Sequence, residues 1–115
     1  MRRWHSMLLL SLLSAAACSD DPDPVVPNVN AVTVTNNAFN PSSRTISVGG
    51  TVTWVWNSGG TAHNVTFTPG TAGAPSNIAQ ATSGSFPRVF NTAGTFNYSC
   101  TIHGPPMTGS VIVNP

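Results

Sequence analysis

Short segments in which apolar and polar residues alternate run from Ala31 to the end of the chain, and they constrain the fold more than any other feature. Valine, threonine, phenylalanine and tryptophan dominate these segments, and glycine, proline, asparagine or serine separates each from the next. β-Branched and aromatic residues with a period of two are typical of strands that bury one face, and helical periodicity is absent. The pattern predicts an all-β protein, a Greek-key antiparallel β-sandwich of seven to eight strands.

The alternation predicts strands at residues 31–35, 44–48, 51–57, 63–67, 86–90, 95–100 and 109–113. Gly49 and Gly50 indicate a tight turn between the second and third of these segments. Residues 68–85 are rich in small side chains and lack the alternation of apolar and polar residues. We therefore interpret them as a connection between the sheets that holds a short helix near residues 78–81. Trp54 and Trp56 lie on one apolar face and are expected to fill the core.

The first seventeen residues, 1–17, are predicted to be a signal peptide of the lipoprotein type. Arg2 and Arg3 precede an apolar run that is too short to span a bilayer, and three alanines end the segment. Cys18 follows directly, an arrangement that resembles the lipobox of bacterial lipoproteins and implies a lipid-carrying cysteine. Ordinary secretion with an incidental Cys18 is the alternative. Both predict export to the periplasm or cell surface, and lipidation favours an outer-membrane anchor.

Residues 18–30 are predicted to be a flexible tether, because acidic residues and prolines alternate there and no apolar face is present. Residues 31–115 then form the single folded domain. Beyond Asp23 the chain has no aspartate, glutamate or lysine, and Arg44 and Arg88 are its only charged side chains. Acid–base catalysis, calcium or magnesium binding and nucleic-acid binding all draw on such groups, so we expect no enzyme and no nucleic-acid partner.

A thiol, an imidazole and a thioether lie close together near the end of the chain, at Cys100, His103 and Met107, and His63 adds a second imidazole upstream. Soft metals prefer such sulfur and nitrogen ligands. Strand alternation turns His63, Cys100 and Met107 inward at strand ends. If Cys18 carries lipid, Cys100 is a lone thiol that a bound metal would protect in an oxidising compartment.

Four segments of the chain resemble the small blue copper proteins, the plastocyanin-like cupredoxins. They are Phe39-Asn-Pro41, Val48-Gly-Gly-Thr-Val-Thr-Trp54, His63-Asn64-Val65 and Tyr98-x-Cys100-x-x-His103-x-x-x-Met107-x-Gly109, and they extend over the whole folded part. The resemblance implies one type 1 copper ion bound by His63, Cys100, His103 and, as the weak axial ligand, Met107. The spacing from His103 to Met107 is one residue shorter than in plant plastocyanins, which leaves the redox potential open.

The same resemblance implies a monomeric electron carrier that exchanges single electrons with redox protein partners. Asn64 would join the histidine loop to the cysteine loop. His103 would reach the surface inside an apolar rim formed by Gly104, Pro105 and Pro106, where a partner docks.

Three other interpretations of the sequence stay open. A copper carrier or storage module would use the same ligands, and a zinc site would use the cysteine and histidines although a thioether is a poor zinc ligand. A metal-free sandwich would be an adhesion or assembly lipoprotein. Tyr98 is expected to pack beside Cys100 and to take no part in the chemistry.

Overall fold

The computed structural model describes residues 30–104 and 106–115. These residues form nine β-strands and no helix, and so none that is able to cross a membrane. The strands are β1 (Ala31–Thr35), β2 (Ala38–Asn40), β3 (Ser43–Ser47), β4 (Thr51–Trp56), β5 (His63–Phe67), β6 (Ile78–Ala81), β7 (Ser85–Val89), β8 (Gly94–Ser99) and β9 (Thr108–Asn114). The predicted all-β class is confirmed, with nine strands instead of seven to eight. The predicted signal peptide, Cys18 and nearly all of the predicted tether lie outside the described residues.

The strands form two sheets, one with the order β2-β1-β4-β7 and one with the order β3-β9-β8-β5-β6. Most neighbouring strands are antiparallel, but β1 is parallel to β4 and β3 is parallel to β9. The predicted β-sandwich is therefore confirmed, but its two sheets are mixed, with these two parallel pairs where the sequence predicted antiparallel strands. The chain leaves the four-stranded sheet after β2, forms β3 in the other sheet and returns as β4, which brings β4 beside β1 in the same direction.

The predicted short helix at residues 78–81 was wrong, because this segment is strand β6. It pairs with β5 through His63 opposite Ala81 and Val65 opposite Ile78, with an irregularity between the two pairs. Ile78 is buried, whereas Ala79 and Gln80 are exposed. Burying one isoleucine against the sheet outweighs the weak helix preference of alanine and glutamine in so short a segment.

The turn predicted at Gly49 and Gly50 is present between β3 and β4. The Gly50 amide donates to the Ser47 carbonyl at 2.9 Å, and Gly49 has a φ of 87°, a conformation that favours glycine. The turn also joins the two sheets, since the Gly49 amide donates to the Phe90 carbonyl at 2.7 Å.

Aromatic rings pack edge to face between the two sheets. The Trp54 ring centroid is 5.3 Å from that of Tyr98 and 6.0 Å from that of Phe67, both nearly perpendicular. A Cβ atom on Gly109 would collide with the Tyr98 ring and hydroxyl, so the glycine leaves the space that the ring occupies. Trp54 and Trp56 are buried, which confirms their predicted place in the core, and Tyr98 packs there as well.

Both charged side chains beyond Asp23 bind backbone carbonyls. Arg44 reaches from β3 to the other sheet, where its Nε and Nη2 donate to the Ala31 carbonyl at 2.9 and 2.7 Å. Arg88 on β7 donates from Nε to the Ser76 carbonyl at 2.9 Å and from Nη2 to the Asn77 carbonyl at 3.0 Å. The two guanidinium groups therefore fasten the beginning of β1 and the connection before β6.

Candidate metal centre

Three of the predicted ligands meet inside one end of the sandwich. His63 is the first residue of β5, Cys100 directly follows β8 and Met107 directly precedes β9. The exposed fraction is 0% for His63 and Cys100 and 1% for Met107. Their inward orientation agrees with the strand alternation, since Val65 and Phe67 share the buried face of β5 and Phe96 and Tyr98 share that of β8.

The two imidazoles approach the Cys100 sulfur symmetrically. His63 Nδ1 and His103 Nδ1 each lie 3.7 Å from Cys100 Sγ. The two imidazole ring centroids are 4.5 Å apart, and the three donor atoms lie within 4.8 Å of one another. The chain thus brings one sulfur and two nitrogen donors together, and within residues 30–104 and 106–115 Cys100 is a free thiol.

These separations fit a shared metal ion. Metal–sulfur and metal–nitrogen bonds of about 2.3 and 2.0 Å, at an angle of roughly 110–120°, place the two donor atoms about 3.5–3.7 Å apart. The observed 3.7 Å falls within that interval for both imidazoles. The donor set, a cysteine sulfur with two imidazoles and the buried thioether of Met107, is the one that copper redox sites use.

Burial of His63 favours its neutral form. Desolvation lowers the pKa of His63 below 6.5, and the neighbouring His103 imidazole lowers that pKa further. Within the described part of the chain, His63 Nε2 is buried and has no hydrogen-bond partner. A neutral imidazole is the form that binds metals, so the surroundings of His63 suit a ligand better than a proton carrier.

A short loop between β8 and β9 brings Met107 back to Cys100. The Cys100 amide donates to the Met107 carbonyl at 3.0 Å, and the Met107 amide donates to the Gly104 carbonyl at 3.3 Å. Gly104 has a φ of 74°, which favours glycine at this bend. Ser99 of β8 pairs with Thr108 of β9 directly next to the loop, so the antiparallel pairing of the two strands fixes both ends of the loop.

Asn64 joins the two segments that carry His63 and Cys100. Its Nδ2 donates to Thr101 Oγ1 at 2.7 Å, and its Oδ1 accepts from the Thr101 backbone amide at 3.0 Å. The Thr66 hydroxyl donates to the same Oδ1 at 3.2 Å. Sequence reasoning named Asn64 but missed Thr66 and Thr101. The position of Thr66, two residues after Asn64 on the same strand face, was the signal available for it.

His103 is the one member of the donor cluster that is exposed to solvent. Its neighbour Ile102 is 42% exposed, Gly104 is half-buried and Pro106 is exposed. Pro105 of the predicted apolar rim lies outside the described residues.

Comparison with known proteins gives the family. The family model of copper binding proteins, plastocyanin/azurin family, matches residues 28–114. Plastocyanin from Scenedesmus fuscus is 40% identical over 84 residues, covering 65% of this chain and 85% of that protein. Halocyanin from Natronomonas pharaonis is 37% identical over 78 residues, covering 66% of this chain and 48% of the halocyanin, so the match spans about half of that relative.

Solved structures of amicyanin variants have the same fold. An oxidized variant superposes with a TM-score of 0.68 at 29% identity, over 79% of this chain and 87% of that one. The reduced Cu(I) form of another variant at pH 4 superposes with a TM-score of 0.67 at 30% identity, over 79% and 87% of the two chains. The chain therefore belongs to the plastocyanin/azurin family of copper-binding proteins, the cupredoxins, which are electron carriers and not enzymes.

Proposed function

We propose that the protein binds one copper ion through His63, Cys100, His103 and Met107 and carries single electrons between redox proteins. The observation that supports this most directly is the pair of imidazole Nδ1 atoms, each 3.7 Å from the Cys100 sulfur. When bound, copper supplies the one-electron Cu(I)/Cu(II) couple, and two imidazoles with a thiolate and a weak thioether suit both oxidation states.

The residues around the site keep its geometry fixed. His63 and Cys100 lie at strand ends. The side-chain amide of Asn64, the residue after His63, binds Thr101, the residue after Cys100. Because the ligands are already close together in the folded chain, little has to move when an electron arrives. A small rearrangement on electron transfer is what a fast carrier needs.

His103 is the proposed route for electrons to the surface. Together with Ile102, Gly104 and Pro106 it forms a patch without an acidic residue, lysine or arginine, which we call the His103 rim. Arg44 and Arg88 bind backbone carbonyls elsewhere. We therefore expect docking by apolar contact between the His103 rim and a partner, with reduction rates that change little with added salt.

Titration of the copper-free full chain with Cu(II) tests the ligand set. We expect an intense visible thiolate-to-copper band that Cys100→Ser removes. A wild-type chain without the band, or a band that survives Cys100→Ser, contradicts the proposal. A reversible midpoint potential with fast electron self-exchange separates an electron carrier from a copper carrier or storage protein, which needs neither.

We also propose that residues 1–17 direct export and that Cys18 carries a lipid anchor. The protein is proposed to be a monomer. The apolar run, the three alanines and the adjacent cysteine support this placement. In a bacterial host, Cys18→Ala should move the protein from the membrane fraction to the soluble exported fraction. Equal membrane association of the wild type and Cys18→Ala contradicts the anchor.

A further inference from the structure

Thr66 lies on the same strand as the candidate ligand His63 without being a ligand itself. It is the fourth residue of β5, and the alternating burial of that strand places Asn64 and Thr66 on the opposite face from His63. The Thr66 hydroxyl donates a hydrogen bond to Asn64 Oδ1 at 3.2 Å. The copper ligation proposed above gives Thr66 no role.

The side-chain amide of Asn64 is the junction through which Thr66 acts. Asn64 directly follows His63, and its partner Thr101 directly follows Cys100. The amide holds Thr101 at two points, through Nδ2 to the hydroxyl at 2.7 Å and through Oδ1 from the backbone amide at 3.0 Å. A rotation of this one amide would loosen the residue that follows the cysteine.

Thr66 and Thr101 both favour the same orientation of the Asn64 amide. The backbone amide of Thr101 is only a donor, so it has to face the carbonyl oxygen and not the NH₂ group of the asparagine. The Thr66 hydroxyl supplies a second donor to that oxygen, which has two lone pairs to accept them. With both donors in place, the oxygen is held from two directions and the NH₂ group is left facing Thr101 Oγ1.

We propose that Thr66 is a positioning residue of the copper centre, which acts by holding the Asn64 amide in the orientation that ties the Cys100 segment to the His63 segment. The inference rests on the proposed copper ligation. The hydrogen bonds join protein atoms only, so their contribution is measurable without the metal.

The first test compares Thr66→Val with Thr66→Ser in the copper-free full chain. Valine keeps the shape and strand preference of threonine but lacks the hydroxyl, whereas serine keeps the hydroxyl. Hydrogen exchange of the Thr101 backbone amide should be about three- to tenfold faster in Thr66→Val, the range expected for the loss of one net hydrogen bond. It should stay within about twofold of wild type in Thr66→Ser.

Thr95→Val is the matched control, because Thr95 is an exposed threonine of β8 in the same sheet. The second test uses the copper-loaded variants. Thr66→Val should shift the visible band and the midpoint potential, and Thr66→Ser and Thr95→Val should shift neither.

Unchanged Thr101 exchange in Thr66→Val overturns the inference. So does a Thr66→Ser variant that matches Thr66→Val, because the effect would then come from packing and not from the hydroxyl. An unchanged band and potential in Thr66→Val, with faster Thr101 exchange, would overturn the link to copper. Failure of the wild-type chain to give the copper band is a separate result that contradicts the proposed function itself.

Discussion

The two sheets of the sandwich differ in what their side chains do. Strands β5, β8 and β9 of the five-stranded sheet hold or border His63, Cys100 and Met107. The four-stranded sheet contributes none of the proposed ligands, and its inward face is valine, tryptophan and phenylalanine, with Trp54 fully buried. This division implies that a ligand can be replaced with little effect on the free energy of unfolding, and that the core of the four-stranded sheet can be altered with little effect on copper.

Replacement of the proposed ligand Cys100 should give the largest difference between the effect on copper binding and the effect on the free energy of unfolding. Cys100→Ser should abolish the visible copper band, because a hydroxyl does not replace a thiolate as a soft ligand. The copper-free variant should lose less than about 2 kcal/mol in its free energy of unfolding, since the serine hydroxyl has two imidazole nitrogens nearby as partners. Visible absorbance and urea unfolding measure the two effects. If Cys100→Ser did not fold, the claim that a ligand can be replaced with little effect on the fold would be wrong.

Trp54 tests the opposite side of the division. Trp54→Phe shrinks a fully buried ring that packs on Tyr98 and Phe67, so the copper-free protein should lose about 1–3 kcal/mol, less than the cost of truncating such a ring to alanine. Urea unfolding measures this loss. The copper band of the folded variant should stay where it is in the wild type, and a displaced band would show that the four-stranded sheet also shapes the metal site.

Arg44 joins the two sheets, so its replacement tests whether they are held by more than apolar packing. Arg44→Met removes two hydrogen bonds to the Ala31 carbonyl and should lower the free energy of unfolding by about 1–2 kcal/mol. Arg44→Lys restores one donor and should recover part of this loss. Thermal or urea unfolding of both variants measures these changes in the free energy of unfolding. Equal stability of Arg44→Met and the wild type would contradict a stabilising role for the Arg44–Ala31 contact.

Tyr98 gives the smallest expected effect, and it is the chain's only tyrosine, so its titration is unambiguous. Burial raises the pKa of Tyr98 to about 12, although the adjacent Trp54 indole and the Arg44 guanidinium oppose the shift. In the unfolded chain the phenol ionises near 10, so the unfolded state loses its proton first and stability falls as the pH rises above 10. At about pH 11 the loss should be about 1 kcal/mol.

Ultraviolet absorbance of the phenolate, followed with stability at each pH, measures this titration. Tyr98→Phe should remove the alkaline loss, and a phenol that ionises near 10 in the folded protein would show that the ring is reached by water.

Local patterning was enough to predict the features that depend on strand phase. His63, Cys100 and Met107 were expected to point inward because each lies next to a run of alternating residues, and the structure buries all three. Gly49 and Gly50 were expected at a turn because glycine tolerates the positive φ found there. Such features are decided within a few residues of chain, so the sequence carries them directly.

Features that depend on distant partners were not predictable in the same way. Ile78 belongs to a strand because β5 lies beside it, and nothing in the neighbouring alanines and glutamine indicates that partner. The parallel pairs arise because the chain crosses between sheets, which alternation cannot show. Thr66 and Thr101 gain their roles only when β5 and the residues after β8 come together around Asn64.

The position of β9 has a consequence for the order of folding. It is the last strand of the residues that the structure describes, yet it lies between β3 and β8, with Ser43 opposite Ser110 and Ile46 opposite Val113. Until residues 108–114 dock, β3 has no neighbour in its sheet and the Cys100 amide lacks the Met107 carbonyl beside it. Contacts between residues so distant in sequence form late and slowly. A chain that emerges progressively from a ribosome therefore completes the five-stranded sheet and the metal centre only after β9 has emerged.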